Sequence, residues 1–327
     1  MRPRIYITQP VAQSAIARLK EIAEVRFNPD PLHIMTKDEL IAAVRENDIL
    51  FCLLHDHVDR DVIAANPGLK AVASMTITPA DIDCAEATKR GIPVTVIPAL
   101  LLDDPTSDLA WGLLLSVVRR VTEGDRLMRA GTFPGSQSCY MEGGGLTNKT
   151  LGIIGMGGVG RAAAARAHPF KLKVIYYDPK RLPEADERKL GITWMPFDEV
   201  LSKSDFISIH ARLTPETRHL FDDRAFGLMK PTAYLVNTAR GPIVDEQALV
   251  RALKAQRIAG AGLDVYENEP QPDPALLAMA NVVFTPHTGS AIREVREAMA
   301  NVVVDNILAL LGGRQPPNCW NAEIYKK

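Results

Sequence analysis

The sequence predicts a parallel α/β protein of two domains, and three observations carry that reading. Short apolar runs alternate with helical patterns along nearly the whole chain, the signature of strand–helix–strand units. The 327 residues exceed the roughly 100–200 of one ordinary domain. A glycine-rich turn at 155–160 stands near the middle, so a whole α/β unit precedes it.

In chain order, the strand candidates are Ile5-Tyr6-Ile7, Ile49-Leu50-Phe51, Ala71-Val72-Ala73, Leu151-Gly152-Ile153-Ile154, Val174-Ile175-Tyr176-Tyr177, Phe206-Ile207-Ser208-Ile209, Tyr234-Leu235-Val236 and Val282-Val283-Phe284. Helical patterns occupy 11–23, 37–46, 81–90, 158–168, 245–255 and 291–311. Thr106-Ser107-Asp108 precedes a long apolar stretch and is the expected helix cap there. The first domain is placed at 1–100 and the second at 101–290.

Composition narrows the functional classes. Hydrophobic residues make up 46% and charged residues 24%, enough apolar material for two cores, which excludes disorder. Lys+Arg number 38 and Asp+Glu 39, so no global charge favours nucleic acid or an anionic membrane, and neither partner is expected. No window approaches the ~20 apolar residues of a membrane span. The densest run, Leu109 to Val118, is broken by Gly112 and Ser116. The N-terminus reads as a first strand rather than a signal-peptide core. Cys52, Cys84, Cys139 and Cys319 are scattered without a C-x-x-C pair, so no metal site is expected, and free thiols fit a reducing cytoplasm.

Gly155-Met156-Gly157-Gly158-Val159-Gly160 follows an apolar strand and opens an alanine-rich helix. In that context G-x-G-x-x-G is a dinucleotide fingerprint. Gly155 makes the tight turn, Gly157 admits a pyrophosphate, and Gly160 lets helix and strand pack closely, while helix N–H groups meet the phosphate charge. The next strand ends in Asp178, 18 residues after Gly160. A carboxylate there accepts ribose hydroxyls and repels a 2′-phosphate, which points to NAD. Lys180 and Arg181, next along, are residues that can accommodate that phosphate, so NADP stays the alternative.

Three later segments end apolar strands in polar residues, where α/β sheets place ligands. Arg240 leaves a strand just before Gly241-Pro242 and offers bidentate donors to a carboxylate. Asp264 ends a strand, and Glu269 is followed by Pro270. Of seven histidines, His287 is the one at a strand end between a proline and a Gly-Ser turn. Histidine is the natural proton donor and acceptor near neutral pH, and a neighbouring carboxylate would fix its tautomer.

With these segments the chain resembles the NAD-dependent D-2-hydroxyacid dehydrogenase family. The likeness rests on GMGGVG at 155–160, Leu213-Thr214-Pro215-Glu216-Thr217-Arg218, Val236-Asn237-Thr238-Ala239-Arg240-Gly241, Gly262-Leu263-Asp264-Val265 with Glu269-Pro270, and Thr285-Pro286-His287-Thr288-Gly289-Ser290. The resemblance implies two doubly wound, Rossmann-like domains with the active site in the cleft between them. It makes 1–100 a substrate-binding domain completed by a C-terminal helix in 291–327, and 101–290 the NAD-binding domain. Arg240, Glu269 and His287 are then the catalytic residues: acid/base at His287, its partner at Glu269, and a substrate anchor at Arg240. The implied cofactor contacts are Thr106, Gly155, Gly157, Gly158, Val159, Gly160, Asp178, His210, Ala211, Thr217, Thr238 and Asp264, together with Arg240 and His287. A homodimer is also implied.

Within the family, Leu53-Leu54-His55-Asp56-His57-Val58-Asp59 and the compact length resemble the glyoxylate/hydroxypyruvate reductase group. Leu54, Ile77, Thr78, Arg240, His287 and Arg296 form the expected substrate set. The substrate loop departs from the family pattern. Thr78 stands at a usual glycine and Ala80 at a usual aspartate, and Thr78 before Pro79 disfavours left-handed backbone, so a reshaped loop is expected. Ile77 stands where the phosphite-oxidising branch of the family has a lysine, which argues against phosphite. Arg293 and Arg296 share one helix face and suit a polar or dianionic 2-keto acid, unless they pair with Glu294 and Glu297 at the surface. The expected activity is reduction of a 2-keto acid to the D-2-hydroxy acid with NADH. The alternative is an NAD-sensing binding protein, like the co-repressors built on the same fold.

Overall fold

The structure, a computed structural model, describes residues 2–79 and 81–326. It divides into two units, one made of 1–101 with 291–327 and the other of 102–290.

The first unit is built on a five-stranded parallel sheet. Its strands are β1 (Arg4–Ile7), β2 (Glu24–Phe27), β3 (Ile49–Cys52), β4 (Ala71–Ser74) and β5 (Val94–Thr95), in the order β2-β1-β3-β4-β5. Helices cover both faces, so every residue of the interior strands β3 and β4 is buried and the sequence reads there as unbroken apolar runs. The long helix Arg293–Leu311 belongs to this unit. It is tied to the first helix, Gln13–Ile22, by Ser14 donating to Glu297 (2.6 Å) and by Arg18 donating to Asn301 (2.8 Å) and pairing with Asp305 (2.6 Å). Asn306 donates to the Val96 carbonyl, and the Asn321 side chain accepts the Val94 N–H, so the C-terminal segment also closes the β5 edge.

The second unit holds seven parallel strands: β6 (Thr150–Ile154), β7 (Lys173–Tyr177), β8 (Ile192–Trp194), β9 (Phe206–Ile209), β10 (Tyr234–Asn237), β11 (Gly260–Leu263) and β12 (Val282–Phe284). Their order is β12-β11-β10-β9-β6-β7-β8, which changes direction between β6 and β9 and creates a switch point at the carboxyl ends. The doubly wound parallel architecture expected from the sequence is therefore present in both units.

One helix starts earlier than its cap signal suggested. It runs Asp103–Val118 without a side-chain cap, so Thr106 and Ser107 lie inside its first turns. Pro105 is tolerated because N–H groups at a helix start have no intrahelical partner to lose. The helix lies on the sheet with Trp111 donating to the Ala163 carbonyl (3.2 Å) and stacked 4.8 Å from Phe170. Strands β2, β5 and β8 were not anticipated from the sequence. No helix among the described residues is long and apolar enough to cross a membrane.

Candidate active site

Strand β6 delivers the chain into the glycine-rich turn at the switch point. Gly155 has φ +94°, and a Cβ on it would lie 2.5 Å from the Ala211 nitrogen and 2.6 Å from the His210 carbonyl carbon. Only glycine allows this left-handed turn against the end of β9. At Gly160 a Cβ would strike the Gly155 carbonyl at 2.1 Å, which is the close helix–strand contact expected there. Gly157 differs from both, since a Cβ there would meet no protein atom within 4 Å. The protein's own packing does not demand glycine at 157, and a pyrophosphate pressed against the backbone would. Val159 follows in the first turn of the helix Gly158–Ala167, whose N–H groups open toward this cradle.

Asp178 follows β7 and is half-buried beside the same turn. Its carboxylate accepts the Met156 N–H (2.9 Å) and the Lys180 N–H (3.0 Å), so the acidic group is fixed at the rim of the cradle. Arg181, the residue that would accommodate a 2′-phosphate, is engaged elsewhere. It forms a bidentate pair with Glu187 (2.9 and 2.8 Å) and lies 5.9 Å from the Trp194 ring centroid.

The buried Thr238 hydroxyl and His210 Nδ1 have no hydrogen-bond partner among the described residues. His210 Nε2 sits 2.9 Å from the Ser208 hydroxyl, and burial pushes the imidazole down to about 4, so it is neutral at physiological pH. Together with the open cradle, these atoms fit a bound dinucleotide. Thr217 closes the turn after β9, accepting the Thr214 N–H (2.8 Å) and donating to the Arg212 carbonyl (2.7 Å). Thr106 flanks Gly289, where a Cβ would lie 3.4 Å from both the Thr106 hydroxyl and the Asp264 carboxylate.

The three residues expected to carry chemistry follow adjacent strands. Arg240 follows β10, Asp264 and Glu269 follow β11, and His287 follows β12. Asn237, buried at the end of β10, donates to the Arg240 carbonyl (3.0 Å) and accepts the Ala239 N–H (3.0 Å), which shapes the turn under the guanidinium. Asp264 clamps the histidine loop: its carboxylate accepts the Thr285 hydroxyl (2.6 Å), the Thr288 N–H (2.7 Å) and the Gly289 N–H (3.0 Å). Its carbonyl takes the His287 N–H (2.9 Å), and His287 is thereby held at φ 51°, a left-handed conformation that few non-glycine residues adopt.

At the centre of this arrangement His287 Nδ1 lies 2.6 Å from Glu269 Oε2, and Glu269 Oε1 accepts the Tyr266 N–H (3.1 Å). A carboxylate can only accept, so Nδ1 carries the proton of that bond and proton exchange with a substrate falls to Nε2.

The structure also brings in residues that sequence reasoning missed. The Tyr266 hydroxyl donates to the Thr285 carbonyl (2.7 Å), which joins the Glu269 segment to the His287 loop. A Cβ on Gly241 would lie 1.7 Å from the Tyr266 carbonyl oxygen, so the Arg240 turn is pressed against the same segment. Asp103 sits against Gly158, where a Cβ would come within 2.1 Å of its carboxylate, and burial and Asp104 raise its pKa. An Asp-Asp pair at a helix start reads as an ordinary N-terminal feature, so no sequence signal marked it.

In the other unit, Leu54 follows β3 and Ile77 and Thr78 follow β4, which are adjacent parallel strands. The loop after β4 is closed by its own hydroxyls: Ser74 and Thr76 Oγ atoms lie 2.6 Å apart, and Thr76 donates to the Thr78 carbonyl (2.8 Å). Thr78 does not take left-handed backbone. Ala80, the other departure noted in the sequence, lies outside the described residues. Arg296 is exposed in the first turn of Arg293–Leu311, and Glu297 accepts the Ser14 hydroxyl.

The family model described as "D-isomer specific 2-hydroxyacid dehydrogenase, NAD binding domain" matches residues 111–289. The chain belongs to this family. It is accordingly an NAD-dependent dehydrogenase that interconverts a keto acid and a hydroxy acid. It is 43% identical to a glyoxylate reductase of Thermococcus litoralis over 99% of this chain and 98% of that one. A solved structure from Thermus thermophilus, the TT0316 protein, superposes with a TM-score of 0.88 at 39% identity, covering 97% of this chain and 99% of the other. An NADPH-dependent glyoxylate/hydroxypyruvate reductase of Sinorhizobium meliloti, in complex with NADP and malonate, superposes with a TM-score of 0.82 at 29% identity, covering 98% and 97%.

Proposed function

We propose that this dehydrogenase reduces glyoxylate, hydroxypyruvate or a more polar 2-keto acid to the D-2-hydroxy acid, with His287 as the acid/base. The observation that carries the reading is the 2.6 Å contact between His287 Nδ1 and Glu269, which orients the ring and leaves Nε2 to exchange the proton. A nicotinamide held in the cradle would supply the hydride that the carbonyl carbon accepts. Arg240 binds the substrate carboxylate through its forked donors and fixes the orientation of the carbonyl. His287 Nε2 donates a proton to the carbonyl oxygen as charge develops there, and Glu269 stabilises the imidazolium form. In the oxidative direction His287 takes the hydroxyl proton. Asp178 favours NAD over NADP by repelling a 2′-phosphate.

The first unit is the substrate-binding half, with Leu54, Ile77 and Thr78 lining the substrate and Arg296 available for a second anionic group. Malonate, bound by the Sinorhizobium meliloti relative, is a dicarboxylate and supports an anion-tolerant site of this kind. The protein acts as a homodimer in the cytoplasm. Four free cysteines suit a reducing compartment, and Val121, Met128 and Phe133 present exposed apolar surface (54, 60 and 55%) to a second copy. The test is NADH oxidation with a panel of 2-keto acids. Turnover of glyoxylate or hydroxypyruvate is expected, and a folded, NADH-binding protein inert across the panel overturns the reading.

A further inference from the structure

We propose that Glu246 is a positioning residue for the catalytic pair, clamping both ends of the segment that carries Glu269. The proposal rests on the acid/base reading of His287 and Glu269.

Glu246 is the first residue of the helix Glu246–Lys254 and is only 6% exposed. The helix is already capped by Asp245, whose side chain accepts the Ala248 N–H (3.0 Å), so the Glu246 carboxylate is not needed as a cap. It turns instead to the neighbouring segment. Oε1 accepts the Glu267 N–H at 2.6 Å, and Oε2 accepts the Asp273 N–H at 3.3 Å. The Glu246 N–H reaches back to Glu267 Oε2 at 3.4 Å. Glu269 lies between the two gripped residues. The segment is further folded by the Gln271 N–H to the Asn268 carbonyl (2.7 Å).

The placement is electrostatically expensive. Burial raises the Glu246 pKa, and the Glu267 and Asp273 carboxylates that face it push the same way. Glu267 is offset by His219 Nε2 (2.6 Å) and Arg218 (3.4 Å), and Gln247 donates to Asp273 (2.5 Å). A buried carboxylate between two others is a poor choice for stability alone. Its two acceptor atoms match the spacing of the two N–H groups it holds. The consequence falls on Glu269, which must stay within hydrogen-bond reach of His287 through every turnover. Because Glu246 follows Arg240 on the same connection, the clamp also ties the substrate-anchoring turn to the acid/base pair.

The experiment is a double-mutant cycle on the full chain with NADH and glyoxylate, using Glu246→Gln and Glu269→Gln. Gln keeps the size of Glu246 but places an amide against one of the two N–H groups. Glu246→Gln should lower kcat by about tenfold or more, since small misplacements near reacting groups are costly, with the NADH dissociation constant changed by less than about twofold. In the Glu269→Gln background the same change should lower kcat by less than about twofold, because contacts acting through one residue are not additive. A purely structural role would give the same fall in both backgrounds. That result, or a Glu246→Gln enzyme with wild-type kcat, overturns the proposal. If Glu269→Gln alone keeps wild-type kcat, the acid/base reading fails instead. Should Glu246→Gln not fold, Glu246→Asp, which keeps the charge but is too short for both N–H groups, replaces it in the same cycle with the same expected and overturning results.

Discussion

Glu269 holds His287 through Oε2, 2.6 Å from Nδ1, while its other oxygen is fixed by the Tyr266 N–H. The carboxylate is therefore oriented by backbone and the imidazole by the carboxylate. His287→Ala should lower kcat by about 10²–10⁴-fold, the usual contribution of general acid–base catalysis, with NADH affinity nearly unchanged. Steady-state kinetics beside fluorescence titration with NADH would check this. An active His287→Ala enzyme would show that the proton comes from elsewhere.

Asp178 is fixed at the rim of the dinucleotide cradle, and Arg181 is committed to Glu187. The wild type should prefer NADH. Asp178→Ala should move the NADH/NADPH ratio of kcat/KM toward NADPH by about tenfold, equivalent to roughly 1.4 kcal/mol of repulsion removed. A wild type that already prefers NADPH would mean that Lys180 outweighs the carboxylate.

Gly241→Ala places a methyl 1.7 Å from a backbone oxygen, which no rotamer can relieve. The Arg240 turn and the Glu269 segment must move apart, and kcat should fall by about 10²-fold. Gly227→Ala is the control, because a Cβ there meets nothing within 4 Å. Activity should survive in that variant. Equal kinetics for the two variants would show that the close approach at Gly241 has no functional role.

The neutral His210 makes stability depend on pH in a defined window. Its folded value is about 4 against an ordinary 6.5, so between those limits the unfolded chain takes up the proton first. Stability should fall as pH drops through that window, by up to about 3 kcal/mol, and be insensitive to this group above it. Urea unfolding of the wild type and His210→Gln between pH 7 and 4 would test this. Parallel curves for the two proteins would refute the assignment.

Arg296→Ala should reduce kcat/KM for a dianionic 2-keto acid more than for glyoxylate, because only the larger substrate has a second anionic group for the guanidinium to meet. Equal changes for both substrates would remove Arg296 from the substrate set.

The interior strands were legible because both their faces are covered, so β3, β4, β6, β7, β9, β10 and β11 read as apolar runs. The strands that escaped notice, β2, β5 and β8, are all sheet edges. An edge strand has fewer neighbours to bury it, and Glu24–Phe27 alternates between exposed and half-buried residues. The catalytic candidates were legible because each lies in the loop that follows a strand, next to a proline or glycine. Glu246 and Tyr266 were not, since their roles depend on contacts to residues some 20 positions away in the chain (Glu267 and Thr285). Nothing in local spacing distinguishes such contacts from helix-start acidity or ordinary core packing.

The division of the chain has a consequence for its biogenesis. The unit of 102–290 is continuous, whereas the other needs both 1–101 and 291–327. On the ribosome the nucleotide-binding unit can close as soon as residue 290 has emerged, while the unit begun by β1 stays incomplete until the helix Arg293–Leu311 has been synthesised. Residues of β1 are thus made early but buried late, and premature termination before 291 would strand the five-stranded sheet rather than the cofactor site.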